Sequence, residues 1–368
     1  MKHLGCLVPI LALFLLLACE NPVAQRILGE TEITISFDVN GAAATPPAPI
    51  TLKRGDSIKL PSGSGLAKAN HDFSKSWNTR DDGSGTDYKA DGTFRPTRSM
   101  TLFAKWDYHW VVVYNVTTGD DEGFTNLEKA FDSSFFQDAV QAVDGCEVII
   151  TAQERVPQNM GPYVFSTSGK VTLKAESDPV EIQLSGTGSL FTVNSGVTLI
   201  LDADIALVGK STNTASLVHV NGGTLRIKED SKISGNTANE GGAVYVDVGG
   251  TFVMEGGNIF GNKANKGGGV FVNGNLFMQG GIISANVARE YGGGVYVDGS
   301  ASLVKMGGGT ITGWGDDTIS GNVVGDFINP KGTGNGYAVY AGSDKIKDST
   351  AMGDLYSALL KDAGGGWD

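Results

Sequence analysis

The chain has 368 residues, of which 53 are glycine, with 18% charged residues and a formal charge of −12 at pH 7. Glycine at about twice its ordinary frequency excludes a helical bundle, because each costs about 1 kcal/mol relative to alanine inside a helix. A hydrophobic fraction of 40% excludes general disorder, and an acidic balance without a basic cluster excludes nucleic acid as a partner.

Lys2 precedes an apolar run over residues 4–18, and the next charge is Glu20. That run is shorter than the ~20 residues a membrane span needs and fits the apolar core of a secretory signal. Its end, Leu16-Leu17-Ala18-Cys19, resembles a bacterial lipobox. The resemblance implies a signal peptide over 1–18, cleavage before Cys19, diacylglycerol on the Cys19 sulfur and a tether over 19–30. The implied location is the cell envelope, at the outer-membrane surface, held there by ~0.8 kcal/mol per buried CH₂. The competing reading is an ordinary signal cut after Ala24. With Cys6 lost and Cys19 lipidated, only Cys146 remains, and one thiol makes no intramolecular disulfide. Cys146 opens an apolar strand with no histidine beside it, so a buried structural thiol is expected rather than a nucleophile.

Residues 31–107 alternate with the strand period: Ile33, Ile35 and Phe37 face one way, Thr34 and Ser36 the other. Turn residues such as Asn40-Gly41, Gly55-Asp56, Asp82-Gly83 and Asp91-Gly92 separate the runs. Ile35-Ser-Phe-Asp-Val-Asn-Gly41, Leu60-Pro61, Trp77-Asn78, Gly85-Thr-Asp-Tyr88 and Thr101-Leu-Phe-Ala-Lys-Trp106 together resemble the Listeria–Bacteroides repeat, the internalin-type B-repeat. The resemblance implies a spacer or attachment module. Trp77 and Trp106 are expected to fill a small core; a sugar-binding pair is the alternative. Residues 108–145 are expected to be a connector and a helical cap, in which Phe124, Leu127, Ala130, Phe131, Phe135, Ala139 and Val143 recur at near-helical spacing.

Residues 146–345 carry an internal repeat. Val193-Asn-Ser-Gly, Val220-Asn-Gly-Gly, Val246-Asp-Val-Gly-Gly, Val272-Asn-Gly and Val297-Asp-Gly follow one another at steps of 27, 26, 26 and 25 residues. A second column is Asn236, Asn262, Asn286 and Asn322, each three residues after an isoleucine. A third is Met254, Met278 and Met306, each leading a glycine pair. Three short strands and three corners consume about 25 residues, which is one coil of a parallel β-helix whose coils stack at the ~4.8 Å inter-strand spacing. The asparagine column is expected to pass side-chain hydrogen bonds from coil to coil, a structural ladder. The fold class expected is all-β: a small B-repeat domain, then a single-stranded parallel β-helix with short helical caps, the second cap over 346–368. The repeat resembles the pectate-lyase-like superfamily, which implies a right-handed helix. More narrowly, Gly241-Gly-Ala-Val244, Gly267-Gly-Gly-Val270 and Gly292-Gly-Gly-Val295 resemble the repeats of polymorphic outer-membrane proteins.

Catalysis by such a helix needs carboxylates and basic residues on neighbouring coils. Arg226-Ile-Lys228 and Asp316-Asp317 lie about three coils apart, or ~15 Å, and Asp202 with Asp204 has no aligned base. A polysaccharide lyase or glycoside hydrolase is therefore the second reading, and a passive envelope protein the third. The first is adhesion or interaction. His219, Tyr245, Phe271, Tyr296 and Tyr340 form one column, each flanked by small or branched apolar residues. If the valines fill the interior, these rings stand outward, one per coil. They are the expected binding surface for a glycan or a host or envelope protein. No cofactor or metal is expected, calcium being left open without a ligand set to support it, and the chain is expected to be a monomer joined to the membrane through its lipid.

Overall fold

Strand β1 (Glu32–Asp38) buries Ile33, Ile35 and Phe37 and leaves Thr34 and Ser36 half-buried. The alternation in the sequence thus becomes one wall of a small core. The structure is a computed structural model that describes residues 32–151, 158–306, 308–312, 321–324, 339–341 and 346–348. Two units divide after Tyr108.

In the first unit, β2 (Ile50–Lys53) pairs antiparallel with β1. β1 in turn lies parallel to β7 (Met100–Tyr108). β4 (His71–Asn78) and β5 (Asp87–Lys89) complete the five-stranded sheet, and β3 (Ile58–Lys59) pairs separately with β6 (Thr93–Phe94). Ile35, Phe37, Leu60, Trp77, Phe94 and Leu102 form the core. Trp77 is fully buried and donates its indole N–H to the Pro61 carbonyl at 2.9 Å. Trp106 is half-buried and donates to the Val39 carbonyl. Both rings therefore work as core with a satisfied polar handle. The neighbouring Asn78 is also buried: its Oδ1 accepts from the backbone N–H groups of Arg80 and Gly85, and its amide donates to the Gly83 carbonyl. One side chain thus organises the loop between β4 and β5.

The second unit opens with a hairpin, β8 (Val111–Asn115) and β9 (Asp121–Phe124), which adds antiparallel strands to the first coil. Two short helices follow, α1 (Leu127–Phe131) and α2 (Ser134–Gln141). The near-helical spacing over 124–143 is therefore split. Phe124 belongs to a strand, Asn126 caps α1 and Ser133 caps α2, each accepting the backbone N–H of the third residue of its helix. Leu127, Phe131, Phe136 and Val140 pack onto the first coil. Cys146 is fully buried in the first parallel strand; burial, with Glu147 beside it, pushes its thiol pKa up to about 12.

From Cys146 onward the chain winds a β-solenoid of about six turns. Wall one stacks Cys146–Ile150, Gly169–Ala175, Val197–Leu201, Thr224–Ile227, Thr251–Met254, Asn275–Met278, Ser302–Lys305 and Ile346–Asp348. The last of these extends the stack into the segment expected as cap. Wall two runs from Gln158–Met160 to Thr310–Ile311, and wall three from Tyr163–Phe165 to Val339–Ala341. A fourth, shorter sheet lies between walls two and three in the later coils: Lys263–Lys266, Val287–Tyr291 and Val323–Val324. The three-sided coil expected from the repeat is therefore four-sided there.

The valines at 193, 220, 246, 272 and 297 are buried in register on wall three. Leu225, Phe252, Leu276 and Leu303 do the same on wall one. The methionine column needs a correction. Met254 pairs with Met278, but the next rung is Lys305, which is buried, while Met306 is exposed. Three consecutive glycines follow Met306 where Met278 has one spacer and two, so the interior register falls one residue earlier. At the corner before wall three, a Cβ on Gly268 would collide with the carbonyl oxygen of Gly293 in the next coil. Only glycine lets the coils close there.

Candidate functional site

The asparagine column is buried at the corner after wall two, with Asn236, Asn262, Asn286 and Asn322 at most 1% exposed. Asn286 Oδ1 accepts the backbone N–H and the amide of Asn262 at 3.0 and 3.1 Å. Its own amide donates to Asn322 Oδ1 and to the carbonyls of Ile259 and Ser284. Asn213, unnoticed in the sequence because a loop separates it from the regular spacing, donates to Asn236 Oδ1 at 3.1 Å and adds a rung. Every polar atom in this ladder is used by the fold, so none of it is offered to a ligand.

The aromatic column is the opposite case. Strand pairing aligns His219 with Tyr245, Tyr245 with Phe271, Phe271 with Tyr296, and Tyr296 with Tyr340. All five stand on the outer side of wall three, because their valine neighbours point inward. Tyr245, Phe271, Tyr296 and Tyr340 stack face to face, with centroids 5.1, 4.9 and 5.3 Å apart and interplanar angles of 13°, 25° and 3°. His219 meets Tyr245 edge-on at 5.3 Å. Phe271, held between two tyrosines, is only 4% exposed, whereas the other four are partly exposed. The expectation of five open rungs therefore changes at Phe271. Neighbouring rings cover one another's faces, and what the ladder turns outward is ring edges and phenol hydroxyls.

Two further columns flank it, neither recognised in the sequence. On one side Asn194, Asn221, Asp247, Asn273 and Asp298 follow the buried valines, one per coil. Asn221 donates to Asn194 at 2.9 Å, His219 Nε2 lies 3.5 Å from Asp247, and the Tyr296 hydroxyl lies 3.4 Å from Asp298. That histidine contact is a charge-pair distance without hydrogen-bond geometry, since Nε2 has no hydrogen-bond partner. On the other side Lys266 pairs with Tyr291 in the fourth sheet, and Glu240, one coil earlier, forms an isolated bridge to Lys266. Lys266 Nζ sits 5.5 Å over the Tyr296 ring, and Tyr291 packs 4.6 Å from Tyr340. Burial raises the phenol pKa values of Tyr245 and Tyr296; Asp247 adds to the first and Asp298 to the second. The repeat itself could have revealed the Asn/Asp column, which directly follows each valine. The other flank required knowing that a fourth side exists.

The residues weighed for catalysis are not brought together. Arg226 pairs with Glu255, and Lys228 lies 3.2 Å from Asp202, all on the outer face of wall one. Asp204 forms a corner in left-handed backbone, φ 63°. His219 is on a different wall, and Asp316-Asp317 falls outside the described residues, as do Cys19 and, past residue 348, the cap expected over 346–368. Among the described residues no group of three or more His, Cys, Asp or Glu side chains is placed to hold a metal ion. No helix among them is long and apolar enough to cross a membrane.

Residues 34–105 match the family model of the Listeria-Bacteroides repeat domain. The match spans most of the first unit and none of the solenoid. No curated protein and no solved structure matches the chain.

Proposed function

We propose that the chain is an exported, lipid-anchored envelope protein in which the repeat domain serves as a spacer and the solenoid as an interaction module. The contact surface is the aromatic ladder of wall three, and the partner is a glycan or a surface protein. The observation that carries this reading is the contrast within one strand: valines fill the interior while a stacked run of rings, partly exposed at every rung but Phe271, faces out. Apolar surface gathered into one strip with polar flanks is the kind of surface that interaction sites present.

The test compares the full chain with a Tyr245→Ala/Tyr296→Ala variant for retention on whole cells and on arrayed glycans. Retention lost by a variant that still melts cooperatively, well above the assay temperature, supports the reading. Equal retention by both proteins overturns the ladder as the contact surface. The anchor is tested separately by Cys19→Ser, which should abolish incorporation of labelled palmitate; incorporation that persists overturns it.

A further inference from the structure

We infer that the ladder is a track for an uncharged, extended polysaccharide chain lying along the solenoid axis, and that its flanking carboxylates exclude polyanionic glycans. This rests on the interaction reading above and names its ligand class.

The rungs repeat at 4.9–5.3 Å, so a polymer that uses several of them must repeat at nearly that step. An extended peptide presents same-face side chains only every ~6.7 Å and loses register within a few coils. A chain of equatorially linked hexopyranoses advances by close to one ring per coil and keeps register. Stacking between rungs leaves no ring face for a sugar to lie on. Sugars therefore meet a floor of ring edges and the hydroxyls of Tyr245, Tyr296 and Tyr340. Asp247, Asn273 and Asp298 supply one carboxylate or amide per coil along one edge, a pattern suited to sugar hydroxyls, which donate and accept at adjacent carbons. Glu240 and Lys266 occupy the other edge. The strip thus holds three carboxylates against one ammonium, and a uronic-acid polymer would bring its charges beside like charges.

The full chain is titrated with β-1,4-linked oligosaccharides of glucose and mannose in increasing length, with β-1,4-linked polyglucuronate, which has the same equatorial linkage, and with poly-lysine. The expected result is binding of at least one neutral series, with affinity rising with length and levelling off once the rungs are spanned, and no binding of polyglucuronate. Tyr245→Phe with Tyr296→Phe keeps the rings stacked but removes two hydroxyls, and should weaken neutral binding about tenfold. Glu240→Gln, Asp247→Asn and Asp298→Asn together should admit β-1,4-linked polyglucuronate, a gain read on that polymer itself and independent of any change in the neutral series.

Equal binding of polyglucuronate by the unaltered chain overturns the inference. So does binding of poly-lysine alone, or of no neutral series. If glycans are ignored yet the alanine variant loses cell retention, only this inference fails and the ladder remains a contact surface for protein. If cell retention survives the alanine substitutions, both readings fail.

Discussion

Two ladders run through the same coils and end differently. The asparagine ladder lies at an inner corner, buried, with donors and acceptors closed on backbone carbonyls and on each other. The aromatic ladder lies on the outer face of wall three, where ring stacks on ring but hydroxyls and edges remain outside the stack. Both follow from one repeat, since coils in register turn any repeated residue into a column. Repetition alone therefore does not mark function. What separates the two is whether the column's chemistry is consumed by the fold.

The largest effect should come from the consumed ladder. Asn286→Ala removes the acceptor of the Asn262 backbone N–H and strands the Ile259 and Ser284 carbonyls in a dry corner. At 1–3 kcal/mol for each buried group left unpaired, partly relieved by local relaxation, the loss should be about 3–4 kcal/mol in urea unfolding. Asn286→Asp should not rescue it, because the carboxylate cannot donate to those carbonyls. A loss below about 1 kcal/mol would mean that the ladder is not the corner's main support, and the comparison would collapse.

The outer ladder should give a smaller loss with a distinctive pH signature. Tyr296→Ala removes stacking worth about 0.5–1.5 kcal/mol from a partly exposed ring. Burial raises the phenol pKa values of Tyr245 and Tyr296 in the folded state, so the fold favours the neutral phenols. Their contribution is fully present below the ordinary tyrosine pKa of ~10 and is lost as pH rises through the folded values. Stability should thus decline on the alkaline side, and Tyr245→Phe with Tyr296→Phe should flatten that decline while changing neutral-pH stability little. Tyrosinate absorbance and thermal melts at stepped pH measure both. An alkaline decline that is unchanged in the double variant would refute the assignment.

The two ladders also differ in how much of them could be read before the fold was known. The Ile-x-x-Asn spacing placed Asn236, Asn262, Asn286 and Asn322 in one column, because the isoleucine three residues earlier shares the repeat's period. Asn213 escaped, since its side chain enters the ladder from a loop of different length. Likewise the valine–ring–valine alternation pointed the aromatics outward, but their mutual orientation depends on inter-coil distance and rotamer, which no spacing encodes. That is why Phe271 proves buried. The column of Glu240, Lys266 and Tyr291 was hidden for another reason: Lys263–Lys266 and Val287–Tyr291 are too short and polar to announce strands, and they pair because neighbouring walls already hold the coils in register. The hairpin at 111–124 and the break between α1 and α2 depend on local caps at Asn126 and Ser133, which near-helical periodicity does not see.

The smallest effect is expected on wall one, where a third kind of column exists. Outward positions there pair charges across coils, Lys228 with Asp202 at 3.2 Å and Arg226 with Glu255. The basic members of these pairs are 41% exposed, so solvent screens them, and such pairs contribute between nothing and about 1 kcal/mol. Lys228→Ala should therefore shift the unfolding midpoint barely at all, and moderate salt should erase whatever shift appears. Yet the strand beneath is as regular as the one beneath the rings: Leu225, Phe252 and Leu276 are buried in register below this surface just as Val220, Val246 and Val272 are on wall three. If Lys228→Ala instead cost as much as an asparagine rung, the outer columns would be carrying the coil stack. The rings of wall three would then be explained as further support, with no ligand required.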